Sequence, residues 1–513
     1  MRKHKSWPLL TIVCTLFFST TILVYFAFKI HRNHHEALKV NSFPATNNPS
    51  TIVQPEIIPR RLEPKKMDFT SNKDLIFPKK FLFGTAYSDF QTAGIGSKSD
   101  WHKFISELKE PKIGPGIGND LYTRYREDFN LAGQINIQIH RISLDWSKFE
   151  PEPGKWNMEM VKTYARIFQY MRSKGIEPMI CMNHFPHPQW FADMGGWENP
   201  NAPELYARYA QFLVKEFGIP LKIRWWLTYN EPQVMVGVAY GKGGWPPFKY
   251  VKDLSDTEGI ERLFKVSGFI MDGHRLSYRA IHKALDPYFS SPNKKLMVGI
   301  ASAPGTFYPN DPDSSLDKIA FNFHHVLSTM LFDRFIGNYD RDFIGINYYG
   351  IARLKMHISV GKYVLSWLTE TKPFAIEWVA DSTAQPNSKP KFYPAALYEQ
   401  IMRFSDAKIP IFVTENGIDD GTDKFREEFL TVHLSAIHKA IEDGANVIGY
   451  QYWALTDTWE PGDYRFSEMG MIKIDRTNNL TRSLRPSALV YGEIIKTHKI
   501  KKELLEKHKD QLR

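Results

Sequence analysis

Cysteine is nearly absent: there are two in 513 residues, Cys14 and Cys181. That excludes a disulfide scaffold, and no Cys/His cluster has the spacing of a zinc site. There is no Gly-rich phosphate loop and no His/carboxylate metal triad, so no cofactor is expected. The net charge of +10 is missing from most of the chain. Residues 1–72 carry ten basic and four acidic residues, and residues 496–513 carry seven and three. The two surpluses account for the whole excess, and 73–495 is neutral overall. A basic face for nucleic acid is therefore not expected, and an anionic membrane surface is the better neighbour for the ends. What is abundant is apolar and aromatic: 43% hydrophobic residues, 13 Trp and 24 Tyr. That suffices for a large core and excludes a mostly disordered chain.

Charge is also absent from Trp7 to Phe28, a run of 22 residues. At 1.5 Å rise per residue such a run spans the roughly 30 Å hydrocarbon core of a bilayer. Ala27 is followed by Phe28 and Lys29, a poor cleavage site, so an uncleaved anchor is expected over a signal peptide. The organisation then reads as a short basic terminus (1–6), a transmembrane segment (7–28), a Pro-containing linker (29–72), a long folded domain (73–498) and a charged tail (499–513). Basic residues flank the anchor on both sides, and the amino terminus tips the expected orientation inward, with the bulk of the chain on the non-cytoplasmic side.

From residue 73 short β-rich apolar runs alternate with longer helix-period stretches. The candidate strands are 81–86, 137–144, 178–183, 224–230, 296–301, 343–347, 411–415 and 447–453. Eight strand–helix repeats predict an α/β fold, a closed (β/α)8 TIM barrel. The interval 346–393 reads as an insertion in the loops, and Cys181 as a small buried hydrophobe. In such a barrel the chemistry gathers at the carboxyl ends of the strands. There the chain places His184, Asn230 and Glu231, Asn347 with Tyr349, Glu415 with Asn416, and Trp453.

Two carboxylates on rigid strand ends suit glycosidic bond cleavage. One protonates the leaving oxygen, and the other meets the anomeric carbon from about 5–5.5 Å away in a retaining enzyme. Strands four and seven are expected to face each other across the barrel. The contexts are Trp226-Leu227-Thr228-Tyr229-Asn230-Glu231-Pro232 and Ile411-Phe412-Val413-Thr414-Glu415-Asn416-Gly417. They resemble the acid/base and nucleophile signatures of glycoside hydrolase family 1, the β-glucosidase family. The resemblance covers roughly 77–492 and recurs in segments 77–91, 139–157, 183–197, 342–350 and 449–460.

The resemblance implies a retaining β-glycosidase acting on terminal β-linked glucose or a related sugar. Glu415 would be the nucleophile and Glu231 the general acid and then base. Arg141, Asn347 and Tyr349 would support the nucleophile. Gln91, His184, Asn230 and Glu460 would contact the sugar, with Trp453 as the platform beneath it. Trp190, Trp197 and Trp245 would line the outer cleft or pack. The pattern breaks at Ala93, where the family has Glu, at Pro461, where it has Trp, and at Ala454, where it has Ser. The phosphate grip of members acting on phosphorylated sugars is not reproduced around Arg465. Two alternatives use the same site: a membrane-associated transglycosylase transferring to a sugar or glycolipid, and a non-catalytic sugar-binding relative. Oligomeric state is not legible.

Overall fold

The computed structural model describes residues 62–109, 111–252, 256–291, 294–322, 340–358, 374–382, 391–405 and 408–512. The anchor expected at 7–28 and most of the linker lie outside these residues. Among the described residues no helix is long and apolar enough to cross a membrane.

Eight parallel strands close into a barrel. They are β1 (Leu82–Ser88), β2 (Ile139–Ser143), β3 (Glu177–Cys181), β4 (Trp225–Asn230), β5 (Met297–Ser302), β6 (Phe343–Asn347), β7 (Ile411–Glu415) and β8 (Val447–Trp453). Closure is by β8 on β1, with Gly449 opposite Leu82 and Trp453 opposite Ala86. The strands are buried on both faces, which is why their sequences are nearly continuous apolar runs. Ile139, Met179, Cys181, Trp225, Leu227, Phe343 and Phe412 form one buried cluster. A second, larger cluster takes Ile142, Ile180, Trp226, Ile344 and Val413 against the helices. Arg141 lies two residues beyond Ile139 and so shares its face. The apolar fill thus gives way to polar chemistry at the carboxyl rim. Cys181 is buried within that fill, as expected of a small hydrophobe.

Helices return the chain between strands. Among them are Leu121–Gln134, Met158–Ser173, Ala202–Leu213, Thr257–Leu285, Pro394–Ser405, Arg426–Glu442 and Pro486–Thr497. Their starts follow local chemistry: Asn157 accepts from Met160 N at 3.2 Å, capping the helix it precedes. The interval 346–393 is more than a loop insertion. Gly350–Ile358 pairs antiparallel with Phe374–Ser382, and Phe307–Pro309 adds a third strand beside the barrel.

The charged tail is built into the fold. Lys499–Ile500 pairs with Leu75–Ile76, and a helix follows over Lys502–Lys507. Leu505 and Leu512 are buried, and Phe69 N donates to Leu512 O at 2.7 Å. Six lysines and arginines between 499 and 513 obscure these few apolar contacts in the sequence. Likewise residues 62–69, expected as linker, pack on the barrel, with Glu63 paired to Arg353 at 2.9 Å.

Candidate active site

Glu415 ends β7 and is buried. One of its oxygens accepts from Arg141 Nη2, and the other from Tyr349 OH at 2.6 Å. Arg141, on β2, is itself fully buried and spends Nη1 on Asn230 Oδ1 at 2.7 Å. Asn347, at the end of β6, donates to the same Asn230 oxygen at 3.0 Å and to Glu231 Oε1 at 2.8 Å. An unbroken hydrogen-bonded chain therefore runs Glu231–Asn347–Asn230–Arg141–Glu415. The two glutamates stand three strands apart around the barrel, not diametrically opposed as the sequence suggested. Asn347, between them, bridges the gap.

Glu231 follows β4 in the left-handed backbone region, φ 47° and ψ 52°. Its N–H donates to Ala301 O at 2.7 Å, which locks that turn to the end of β5. Burial pushes its carboxyl up to about 8, with the Glu415 charge as the second cause; the Asn347 donor and Arg141 only partly oppose this. The two carboxyls thus differ in surroundings: Glu415 accepts from two donors, one of them cationic, while burial favours the protonated form of Glu231.

The sugar-facing candidates extend from this chain. Asn230 Nδ2 lies 3.2 Å from His184 Nε2. Its own oxygen is fixed by Arg141, so the amide donates, and His184 must carry its hydrogen on Nδ1 and give it to Ser143 Oγ at 3.1 Å. Burial and then Arg141 lower the His184 pKa well below the usual value, so the ring is neutral. Trp453, ending β8, stacks on His184 with centroids 5.6 Å apart, and its Nε1 donates to Glu460 Oε1 at 3.2 Å. Burial raises the Glu460 carboxyl to about 8, with Glu415, Asp419 and Asp463 adding to the effect.

Gln91 stands apart from the chain. Its Nε2 donates to Trp459 O at 2.7 Å and its oxygen accepts from Ser88 Oγ. One N–H and one lone pair remain for a ligand. Trp197 is core, donating to His187 Nε2 at 2.9 Å, and Trp190 packs on Trp146. Arg465 is engaged by Asp419 at 2.7 Å and Asp463 at 3.2 Å, which leaves no open cation for a phosphate.

Several contributors escaped the sequence reading. Thr414 Oγ1 donates to Asn347 Oδ1 at 2.7 Å and fixes that amide's orientation. Beneath Gln91 lies a buried knot: Asp89, at the start of the one-turn helix Asp89–Thr92, accepts from Lys148 Nζ, Tyr122 OH and Tyr164 OH. Lys148 also donates to Gly94 O at 2.6 Å, so it holds both ends of the segment that carries Gln91. Tyr122 and Tyr164 lie 33 and 75 residues from Asp89 in sequence, and no local pattern joins them.

The family model described as glycosyl hydrolase family 1 matches residues 73–341 and 333–500. The chain belongs to that family. Among curated relatives it is 26% identical to a β-galactosidase of Pyrococcus woesei, covering 84% of this chain and all of that protein. It is 28% identical to a chloroplast galactolipid galactosyltransferase of Arabidopsis thaliana, over 73% of this chain and 57% of that protein. Among solved structures, a β-glycosidase from Pyrococcus horikoshii superposes with a TM-score of 0.70 at 28% identity, covering 85% of this chain and 98% of that one. The (β/α)8 architecture and the family expected from the strand-end motifs both hold.

Proposed function

We propose that this family 1 chain is a retaining β-glycosidase held at a membrane by residues 7–28, with its barrel on the non-cytoplasmic side. The observation that carries the reading is the pair Glu231 and Glu415, joined through Asn347, Asn230 and Arg141 and differing in environment. Glu231 would give its proton to the leaving oxygen as Glu415 attacks the anomeric carbon, forming a glycosyl ester. Esterification removes the Glu415 charge, one of the causes that raise Glu231. Glu231 is then the better placed to remain a carboxylate and take a proton from incoming water. Trp453 and His184 offer apolar and polar faces to the sugar, and Asn230 the contact to its 2-hydroxyl.

The test is hydrolysis of chromogenic β-glucoside, β-galactoside and β-mannoside by the wild type and by Glu415→Gln. Turnover of at least one by the wild type, lost by at least a thousandfold in the variant, is expected. Equal turnover by both proteins would sink the assignment of the nucleophile.

A second reading is favoured by the similarity to the galactolipid galactosyltransferase. In it a sugar hydroxyl takes the place of water on the same glycosyl-enzyme. Release of aglycone with less than stoichiometric free sugar, and a disaccharide product, would mark transfer.

A further inference from the structure

We infer that the carboxyl-end face of the barrel, where the site opens, is the face laid against an anionic lipid surface. The inference rests on the membrane attachment proposed above and assigns what covers the mouth. Two observations converge.

First, aromatic side chains run outward from the site. His184 contacts Phe185 at 4.6 Å between centroids, Phe185 contacts Trp245 at 4.7 Å, and Trp245 contacts Trp101 at 5.2 Å. Trp101 then meets Phe104 at 6.0 Å, and Phe104 meets Phe248 at 5.2 Å. The inner members are buried, but Phe248 is 45% exposed and Tyr250, two residues on, 53%. Ile117, in the loop that bonds the same rim through Ile113 N and Tyr464 O, is 68% exposed. Scattered apolar residues are ordinary on a surface; Phe248, joined by ring contacts back to His184, is not scattered.

Second, lysines are interleaved with them. The segment 242–252 contains Lys242, Lys249 and Lys252 and no carboxylate. Lys112 Nζ lies 4.9 Å from the Tyr464 ring. The carboxylates described nearby have partners: Glu107 faces Lys103 at 3.9 Å, Asp463 faces Arg465 at 3.2 Å, and Asp256 accepts from Lys252 N at 2.9 Å. Aromatic and aliphatic tips with basic flanks suit the boundary of an anionic bilayer.

The test uses the full-length chain with Cys14→Ser, leaving only the buried Cys181. A single reactive cysteine is placed at Tyr250→Cys, or at Ile76→Cys as a control that is 59% exposed on the opposite face. Each protein is labelled with an environment-sensitive fluorophore and reconstituted in vesicles containing 30% (on the order of the anionic content of a charged leaflet) phosphatidylglycerol. The label at 250 should shift to the blue and be quenched by a spin label carried on lipid, and the label at 76 should do neither. Raising salt to about 1 M, where the Debye length is about 3 Å, should reverse the effect at 250. Equal behaviour of the two labels, or no difference between anionic and neutral vesicles, overturns the inference. This readout needs no turnover, so it survives a wrong assignment of activity. If the chain is active, Phe248→Glu with Tyr250→Glu should cut hydrolysis of a lipid-borne glycoside at least tenfold while a soluble one changes less than twofold; equal effects on both overturn it.

Discussion

Glu231 and Glu460 are each raised to about 8, with burial as the first cause for both. The proposed acid must be protonated, so kcat/KM for a soluble glycoside should fall as pH rises through about 8. A pH–kcat/KM profile with no alkaline limb below pH 10 would contradict Glu231 as the acid. The same shifts bear on stability. The native state holds these protons between the ordinary carboxyl value and about 8, whereas the unfolded chain releases them, so stability declines as pH rises across that window. Glu460→Gln, which carries no charge to desolvate, should therefore raise the Tm at pH 8 and leave it nearly unchanged at pH 4. The Asp89 carboxylate is fully buried against Lys148, whose side chain is only 8% exposed. Asp89→Ala would leave the ammonium and two tyrosine hydroxyls without their acceptor, at a cost of about 3–5 kcal/mol measured by denaturant unfolding. It should also raise KM more than it lowers kcat, by loosening Gln91. The double variant Asp89→Ala with Ala93→Glu restores a carboxylate within the same clamped segment and should recover part of both losses. No recovery would mean that position 89 itself is required.

At the scale of elements, the eight barrel strands were legible to within two residues at either end, because a strand buried on both faces must be apolar throughout. The segments 350–358 and 374–382 carry β-rich stretches too, but they fall outside the strand–helix alternation and so read as insertion. The site divides the same way. Glu231, Glu415, Asn230 and Asn347 lie in short strand-end motifs, whereas Asp89, Tyr122, Lys148 and Tyr164 meet only after β1, β2 and their helices have packed. One backbone approach bears directly on the proposed site. A Cβ at Gly417 would sit 1.8 Å from Trp453 O, so the turn after β7 touches the end of β8 with no room for a side chain. Gly417→Ala must displace either the Glu415 turn or the Trp453 platform. At least a hundredfold loss of kcat/KM is expected, with the fold retained by circular dichroism.

At the scale of the molecule, the tail is a latch. Leu505 and Leu512 fill buried positions, Lys507 reaches Glu427 Oε1 at 2.5 Å, and His508 reaches the same oxygen at 2.8 Å. Leu512→Ala should destabilise by about 2–5 kcal/mol, read as a lowered denaturant midpoint. A midpoint unchanged within error would show the latch to be ornamental. The basic composition of this segment therefore misleads: its charges lie outside a small apolar seal at the barrel's amino end.

That seal has a topological consequence. Phe69 N and Leu512 O share a hydrogen bond of 2.7 Å, so the two ends of the barrel's covalent path already touch. Joining them through a short Gly/Ser bridge and reopening the chain in an exposed loop on the amino-end face would give a circular permutant with every barrel strand and the site intact. In such a rearranged protein the order of β1 to β8 would rotate while the ring itself stayed the same, and its termini could be chosen to leave the mouth unencumbered.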